Sequence, residues 1–132
     1  LPQWDGKNLT AAGGSQGGLQ TVWAAGLDPD VTLAKPDIPW CSDMKGDSKG
    51  RIRGWFPPYV DALGYYDTIN HAKRIKCPVE ITRAGLGDYT CPPSGVAILY
   101  NNIKSPKKIR WFQGSTHGYV PPNPQIIEQT GR

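Results

Sequence analysis

The stretch Gly13-Gly14-Ser15-Gln16-Gly17-Gly18 lies between a strand-like segment, 8–12, and a segment with helical character, 19–25. A strand, a Gly-x-Ser-x-Gly turn and then a helix is the context that a nucleophile elbow requires. The serine of such an elbow is held on a strained corner, so we expect Gly13 and Gly17 to let the backbone turn without a Cβ clash. The stretch therefore predicts that Ser15 is presented as a nucleophile.

A serine in this position also lies beside the N-terminus of the following helix. Free N–H groups and the helix dipole favour the negative charge that develops during acyl transfer. The nearest such donor to Ser15 is the backbone N–H of Gln16, which we expect to contribute to an oxyanion hole.

A glycine-rich turn can also be a simple connector or a phosphate-binding loop, and the chain contains 16 Gly. The pattern Gly-x-x-x-x-Gly-Lys-Ser/Thr is absent, and Gly-x-Gly-x-x-Gly is met only at an irregular offset, with no lysine in the turn. The turn alone does not separate a connector from an elbow, so the rest of the chain decides between them.

The composition is that of one globular, loop-rich domain. The 132 residues include 13 Pro and 16 Gly, and we treat 1–132 as a single, partial domain. The net charge of +4 comes from basic residues that are spread out apart from two small clusters, 45–53 and 104–108, so nucleic acid is not an expected partner. No apolar run approaches the length of a membrane span, so no membrane association is expected.

The three cysteines are Cys41, Cys77 and Cys91. They are odd in number, widely spaced, and lack a Cys-x-x-Cys pair or a nearby pair of histidines. We expect free, buried thiols and no metal site.

Helical and strand-like segments alternate along the chain. The predicted elements are strands at 8–12, 31–36, 79–84 and 108–112, and helical segments at 16–26, 65–72 and 94–102. Such alternation predicts an α/β fold in which right-handed crossovers join a mostly parallel sheet with flanking helices. An irregular, aromatic-rich loop at about 37–60 interrupts the pattern.

Catalytic residues of open α/β sheets lie at the carboxyl ends of the strands. Asp88 and His117 each follow a predicted strand, and the order Ser15, Asp88, His117 is that of the α/β-hydrolase triad. A serine hydroxyl needs an imidazole to take its proton and a carboxylate to hold that imidazole in the right tautomer. Asp37 is an alternative acid that we rank below Asp88, and His71, at the end of a short helix, is interpreted as structural.

Five segments of the chain resemble the acetyl xylan esterase and cephalosporin C deacetylase family, also called carbohydrate esterase family seven. They are Gly13 to Gly18, Ala24-Ala25-Gly26-Leu27-Asp28-Pro29, Ala62-Leu63-Gly64-Tyr65-Tyr66-Asp67, Arg74-Ile75-Lys76-Cys77-Pro78-Val79 and Asp88-Tyr89-Thr90-Cys91-Pro92-Pro93-Ser94. The resemblance extends to His117-Gly118-Tyr119, and the last of the five segments is its most specific part. It implies an α/β-hydrolase fold.

The resemblance also implies roles for individual residues. Ser15 is the nucleophile, His117 the general base and acid, Asp88 the orienting carboxylate, and the Gln16 N–H one oxyanion donor. The implied reaction removes an O-acetyl group from a sugar or a cephalosporin through acetyl-Ser15, without a metal or an organic cofactor.

Aromatic residues accumulate beside the expected pocket. They are Trp40, Trp55, Phe56, Tyr59 and Tyr119. Aromatic faces suit sugar rings but are equally typical of a core in a loop-rich domain. From this set we predict Trp40 and Tyr119 as substrate-binding residues for an acetylated carbohydrate.

The segments that precede the elbow in a complete hydrolase, including the loop with the second oxyanion N–H, have no counterpart in this sequence. We therefore expect the C-terminal half of a longer esterase, or a sheet completed by a second chain or in a homo-oligomer. Two other functions stay open: a non-catalytic binding or assembly module, and a peptidase or lipase on the same scaffold.

Overall fold

The computed structural model describes residues 4–132 and shows one five-stranded sheet in the order β1-β2-β3-β4-β5. The strands are β1 (Thr10–Gly14), β2 (Leu33–Asp37), β3 (Val79–Gly85), β4 (Lys107–Phe112) and β5 (Ile126–Gly131). The helices are α1 (Gln16–Leu27), α2 (Thr68–Ala72) and α3 (Pro93–Asn102), with 3₁₀ turns at Gly46–Lys49 and Asp61–Tyr65. Strands β1 to β4 are parallel and β5 is antiparallel to β4, so the prediction of a mostly parallel α/β sheet with flanking helices is confirmed.

The main core lies between the sheet and its helices. Helix α1 packs against β1 and β2, and α3 packs against β3 and α2. Helix α3 begins at Pro93, whose missing N–H costs nothing in the first turn of a helix. Val22 from α1, Leu99 from α3 and Ile81 from β3 are at most 1% exposed in this core.

A second, smaller core anchors the irregular segment between β2 and α2. Its buried members are Leu19, Cys41, Met44 and Phe56, and Trp23, Trp40, Tyr59 and Leu63 pack against them. Leu19 belongs to α1, so this segment is attached to the helix that begins directly after Ser15. The irregular segment is therefore held against α1 by apolar side chains.

Charged side chains project from the sheet as ion pairs between neighbouring strands. Lys35 of β2 lies 3.5 Å from Glu80 of β3, and Glu128 of β5 lies 2.8 Å from Lys108 and 3.1 Å from Arg110 of β4. Within β3, Glu80 lies between the buried residues Val79 and Ile81, because successive side chains of a strand point to opposite faces of the sheet.

Three details differ from the sequence prediction. Strand β5 was not predicted, and its Ile126 and Ile127 are half exposed, so pairing with β4 rather than an apolar pattern defines it. The helical segment predicted at 65–72 is a 3₁₀ turn followed by the short α2, whose N-terminus is capped by Asp67. The first strand lies at Thr10–Gly14 rather than 8–12. Within residues 4–132, every helix is too short or too polar to cross a membrane.

Candidate active site

Ser15 occupies the corner between β1 and α1 in a strained backbone conformation. Its φ of 53° and ψ of −112° lie outside the regions that residues with a Cβ normally adopt. Three backbone hydrogen bonds hold it there. The Ser15 N–H donates to the Asp37 carbonyl at 2.9 Å, and the Ser15 carbonyl accepts from Leu19 at 3.0 Å and from Trp40 at 3.1 Å. Strain maintained by its surroundings is typical of functional positions.

Two glycines make this corner possible by removing side chains that would collide with backbone. A Cβ on Gly13 would lie 2.6 Å from the Gly17 carbonyl oxygen, and one on Gly18 would lie 2.8 Å from the Asp37 carbonyl oxygen. A Cβ on Gly17 would contact nothing within 4 Å. The prediction that Gly13 needs to be small is confirmed. For Gly17 the same prediction was wrong, because the second position that has no room for a Cβ is Gly18.

Asp37 supports the Ser15 corner but does not contact either histidine through a hydrogen bond or ion pair in the described chain. Its carboxylate lies 2.9 Å from Arg83 Nη2 and accepts a hydrogen bond from Thr82 Oγ1 at 3.0 Å. Both carboxylate oxygens of Asp37 therefore contact side chains of β3, so Asp37 is not the carboxylate that contacts His117.

Asp88 and His117 come together as the sequence predicts. His117 Nδ1 lies 3.2 Å from Asp88 Oδ2, and the other carboxylate oxygen accepts the backbone N–H groups of Thr90 and Cys91 at 2.8 and 2.9 Å. The Asp88 side chain is fully buried, whereas that of His117 is 30% exposed. A carboxylate at this position accepts a hydrogen bond from the Nδ1–H tautomer, in which the lone pair on Nε2 can accept a proton.

Ser15 is not hydrogen-bonded to His117 in the described chain, so the structure joins two of the three predicted triad residues directly. Catalytic hydrogen bonds are often long before substrate binds. His71, the other histidine, hydrogen-bonds the Tyr65 carbonyl at 2.8 Å and packs against Trp23, which agrees with its structural interpretation.

A cavity of about 170 Å³ opens beside the serine and is lined by Ser15, Gln16, Trp40, Trp55 and Thr90. Gln16 is the first residue of α1, so its N–H has no acceptor within the helix and is free for a ligand. Of the two aromatic residues predicted to bind substrate, Trp40 lines this cavity and Tyr119 does not. Tyr119 is 56% exposed on the loop that follows His117.

Cys91 is a neighbour of the site that the sequence interpretation treated only as a free thiol. All three cysteines are free and buried, as predicted. Burial, followed by the nearby charges of Asp88 and Cys41, raises the pKa of the Cys91 thiol to about 12. The spacing Asp88-x-x-Cys91 was the sequence signal for this proximity.

Donor atoms of Asp88, Cys91 and His117 lie within 4.8 Å of one another, a grouping that can resemble a metal site. Its chemistry is a poor match for one. Both Asp88 oxygens already accept hydrogen bonds or contact His117.

Sequence comparison identifies a family and a relative that are both named as acetyl esterases. The family described as acetyl xylan esterase (AXE1) matches residues 58–128. The acetyl esterase Axe7A of Xylanibacter ruminicola is 43% identical over 118 residues, which is 82% of this chain and 27% of that protein. The chain thus spans about a quarter of the length of this curated relative.

Structural comparison gives the same group of proteins. The acetyl xylan esterase from Paenibacillus sp. R4 superimposes with a TM-score of 0.78 at 29% identity, over 92% of this chain and 43% of its own. Acetyl xylan esterase 1 from Thermoanaerobacterium sp. JW/SL YS485 gives 0.74 at 31% identity, over 92% and 44%. An acylaminoacyl peptidase of Pyrococcus horikoshii, at 23% identity and a TM-score of 0.70, shows a shared fold alone. None of these matches supports the prediction of an oligomer or a second chain.

Proposed function

The chain belongs to the acetyl xylan esterase (AXE1) family, and from this membership we propose that it acts as a serine esterase on acetylated carbohydrate. Ser15 is the nucleophile, His117 the general base and acid, and Asp88 the carboxylate that orients His117. The observation that carries the proposal is Ser15 itself, a non-glycine residue held at a φ of 53° between a strand and a helix. Such a corner exposes the hydroxyl for attack.

The proposed reaction begins when Ser15 Oγ attacks the acetyl carbonyl carbon while His117 Nε2 takes the hydroxyl proton. The carbonyl oxygen becomes an oxyanion, which the Gln16 N–H at the positive end of α1 stabilises. The C–O bond to the sugar then breaks, and His117 returns the proton to the departing sugar oxygen. Water, deprotonated by His117, then attacks the carbonyl carbon of acetyl-Ser15. The bond to Ser15 Oγ breaks, acetate leaves, and His117 returns the proton to Ser15 Oγ.

Asp88 serves this sequence through its buried contact with His117. A carboxylate beside Nδ1 stabilises the imidazolium that forms each time Nε2 holds a proton. The Thr90 and Cys91 N–H groups fix the carboxylate itself, so the orientation of the imidazole is defined by backbone as well as by side chains.

Separate observations support the acetyl part and the carbohydrate part of the proposed substrate. The cavity of about 170 Å³ beside Ser15 is smaller than the roughly 300–1,000 Å³ typical of drug-sized ligands, which favours a short acyl group. The relatives are named as acetyl and acetyl xylan esterases, which favours acetylated xylan or xylo-oligosaccharides as the substrate. We assign Trp40 to the wall of the acyl cavity and Tyr119 to its outer approach.

Pre-steady-state kinetics with 4-nitrophenyl acetate tests the nucleophile. We expect a nitrophenolate burst of about one equivalent per chain in the wild type and none in Ser15→Ala, because the burst records acetyl-Ser15. Ser48→Ala, a change at an exposed serine in the 3₁₀ turn Gly46–Lys49, is the matched control and should keep the burst. A wild-type chain that releases nitrophenolate no faster than Ser15→Ala would favour the non-catalytic binding module, and a burst that survives in Ser15→Ala would show that another residue is the nucleophile.

A further inference from the structure

Trp55 stands out because its large apolar side chain is 76% exposed beside the cavity that contains Ser15. An indole in water is unfavourable by the same hydrophobic effect that buries Trp23 and Trp40 more deeply. The nearby residues Gln16 and Thr90 line the same cavity, so Trp55 lies within reach of whatever group is attached to the acetyl ester.

The backbone of Trp55 is fixed, although its side chain is exposed. Its N–H donates to the Thr90 carbonyl at 3.2 Å, and its carbonyl accepts the indole N–H of Trp40 at 3.1 Å. Thr90 is bonded in turn to the Asp88 carboxylate, so this part of the loop is connected to the proposed catalytic residues.

The residues on either side of Trp55 strengthen this attachment. Gly54 has a φ of +72°, and a Cβ there would lie 2.6 Å from Pro92 Cδ, so the loop lies directly on the segment after Asp88. The Arg53 guanidinium donates twice to the Phe56 carbonyl, at 2.6 and 3.1 Å, and so closes the loop around Trp55. A rigid backbone with a free aromatic face is preorganised for binding, because little conformational entropy is lost when a ligand arrives.

We propose that Trp55 is the platform on which a sugar ring of the substrate stacks while its acetyl group enters the cavity at Ser15. This inference rests on the proposed function and adds a specificity-determining residue to it. The apolar C–H face of a pyranose packs against a flat indole, and the sugar hydroxyls at the ring edge remain in water. Trp40, whose indole N–H is bonded to the Trp55 carbonyl, supports the platform from within.

The test compares two acetyl esters that differ in whether they carry a ring. Acetylated xylo-oligosaccharide presents sugar rings to Trp55, and triacetin presents the same acetyl group on an open chain. We expect Trp55→Ala to lower kcat/KM for the oligosaccharide about tenfold more than for triacetin, mainly through KM, and Trp55→Phe to recover part of the loss. Tyr65→Ala is the matched control, because Tyr65 is 82% exposed but lies outside the Ser15 cavity, and it should leave the ratio unchanged.

A binding measurement separates this inference from the proposed reaction. In calorimetric titrations of the Ser15→Ala chain with unacetylated xylotetraose, we expect the additional Trp55→Ala change to weaken binding about tenfold. That result supports the platform even if the chain is inactive on esters. Equal affinity with and without the indole, or equal losses for oligosaccharide and triacetin, would overturn it.

Discussion

The Ser15 corner and the Asp88–His117 pair are built in opposite ways. The corner is defined by backbone: a φ of 53°, a close approach at Gly13 and hydrogen bonds to neighbouring carbonyl and N–H groups. The pair is defined by side chains 29 residues apart that meet at 3.2 Å around a buried carboxylate. Changes in the corner should therefore alter stability and activity together, whereas changes in the pair should alter activity in a fold that stays intact.

The largest expected effect comes from Asp88→Asn, which tests the pair alone. An asparagine side-chain oxygen can still accept the Thr90 and Cys91 N–H groups, but its NH₂ group faces His117 Nδ1 and favours the wrong tautomer. We expect kcat for 4-nitrophenyl acetate to fall by about 10⁴-fold while the urea unfolding midpoint changes little.

Circular dichroism and urea titration of the same preparation provide the control for folding. A loss of activity below about tenfold would show that Asp88 does not orient the base. A large loss of stability would show that the pair is structural.

Alanine at Gly13 and at Gly17 tests the corner. We expect Gly13→Ala to lower the free energy of unfolding by about 1–3 kcal/mol, because its Cβ would collide with the Gly17 backbone, and to lower activity as the corner shifts. Gly17→Ala is the matched control in the first turn of α1, where the added methyl meets open space.

In that control, alanine should raise the free energy of unfolding by up to about 1 kcal/mol, because it is a better helix former than glycine. Urea denaturation of both variants measures the contrast. Equal changes at the two positions would contradict the assignment of the close approach to Gly13.

The third contrast depends on pH and concerns Cys91, which lies beside Asp88 and His117, and the nearby Cys41. Burial raises the pKa of each thiol from about 9 to about 12 in the folded chain. Above pH 9 the unfolded chain therefore loses these protons while the folded chain keeps them, and the free energy of unfolding falls as pH rises toward 12. The slope for each thiol is at most about 1.4 kcal/mol per pH unit.

Urea titrations of wild type and Cys91→Ala between pH 6 and pH 11 isolate this contribution. The variant should lose stability less steeply above pH 9, and the slopes should agree below pH 8, where the thiol is protonated in both states. Parallel curves over the whole range would show that the Cys91 thiol ionises equally readily in the folded and unfolded chains.

The two regions also differ in how far the sequence predicts them. The corner is encoded within a few consecutive residues, so its serine and the need for a small Gly13 follow from the motif. The role of Gly18 does not, because the atoms it approaches belong to Asp37 and Pro39 on another element. For Asp88 and His117, positions after strands predict the shared sheet edge, whereas the distance between them depends on loop conformation.

The irregular loop and the last strand show the limit of such prediction. Trp55 belongs to an aromatic-rich stretch whose composition is equally typical of core and of surface. Its exposure depends on the loop conformation, in which the Trp55 N–H is bonded to the Thr90 carbonyl. Strand β5 is specified by pairing with β4, since its side chains show little apolar alternation.

Covalent labelling tests the central claim most directly. A fluorophosphonate reacts with a serine only when that serine is activated as a nucleophile, and peptide mass spectrometry identifies the residue that carries the adduct. The proposed arrangement predicts one adduct, on Ser15, formed quickly in the wild type and much more slowly in Asp88→Asn. An adduct on another serine, or an unmodified Ser15 after prolonged exposure, would contradict it.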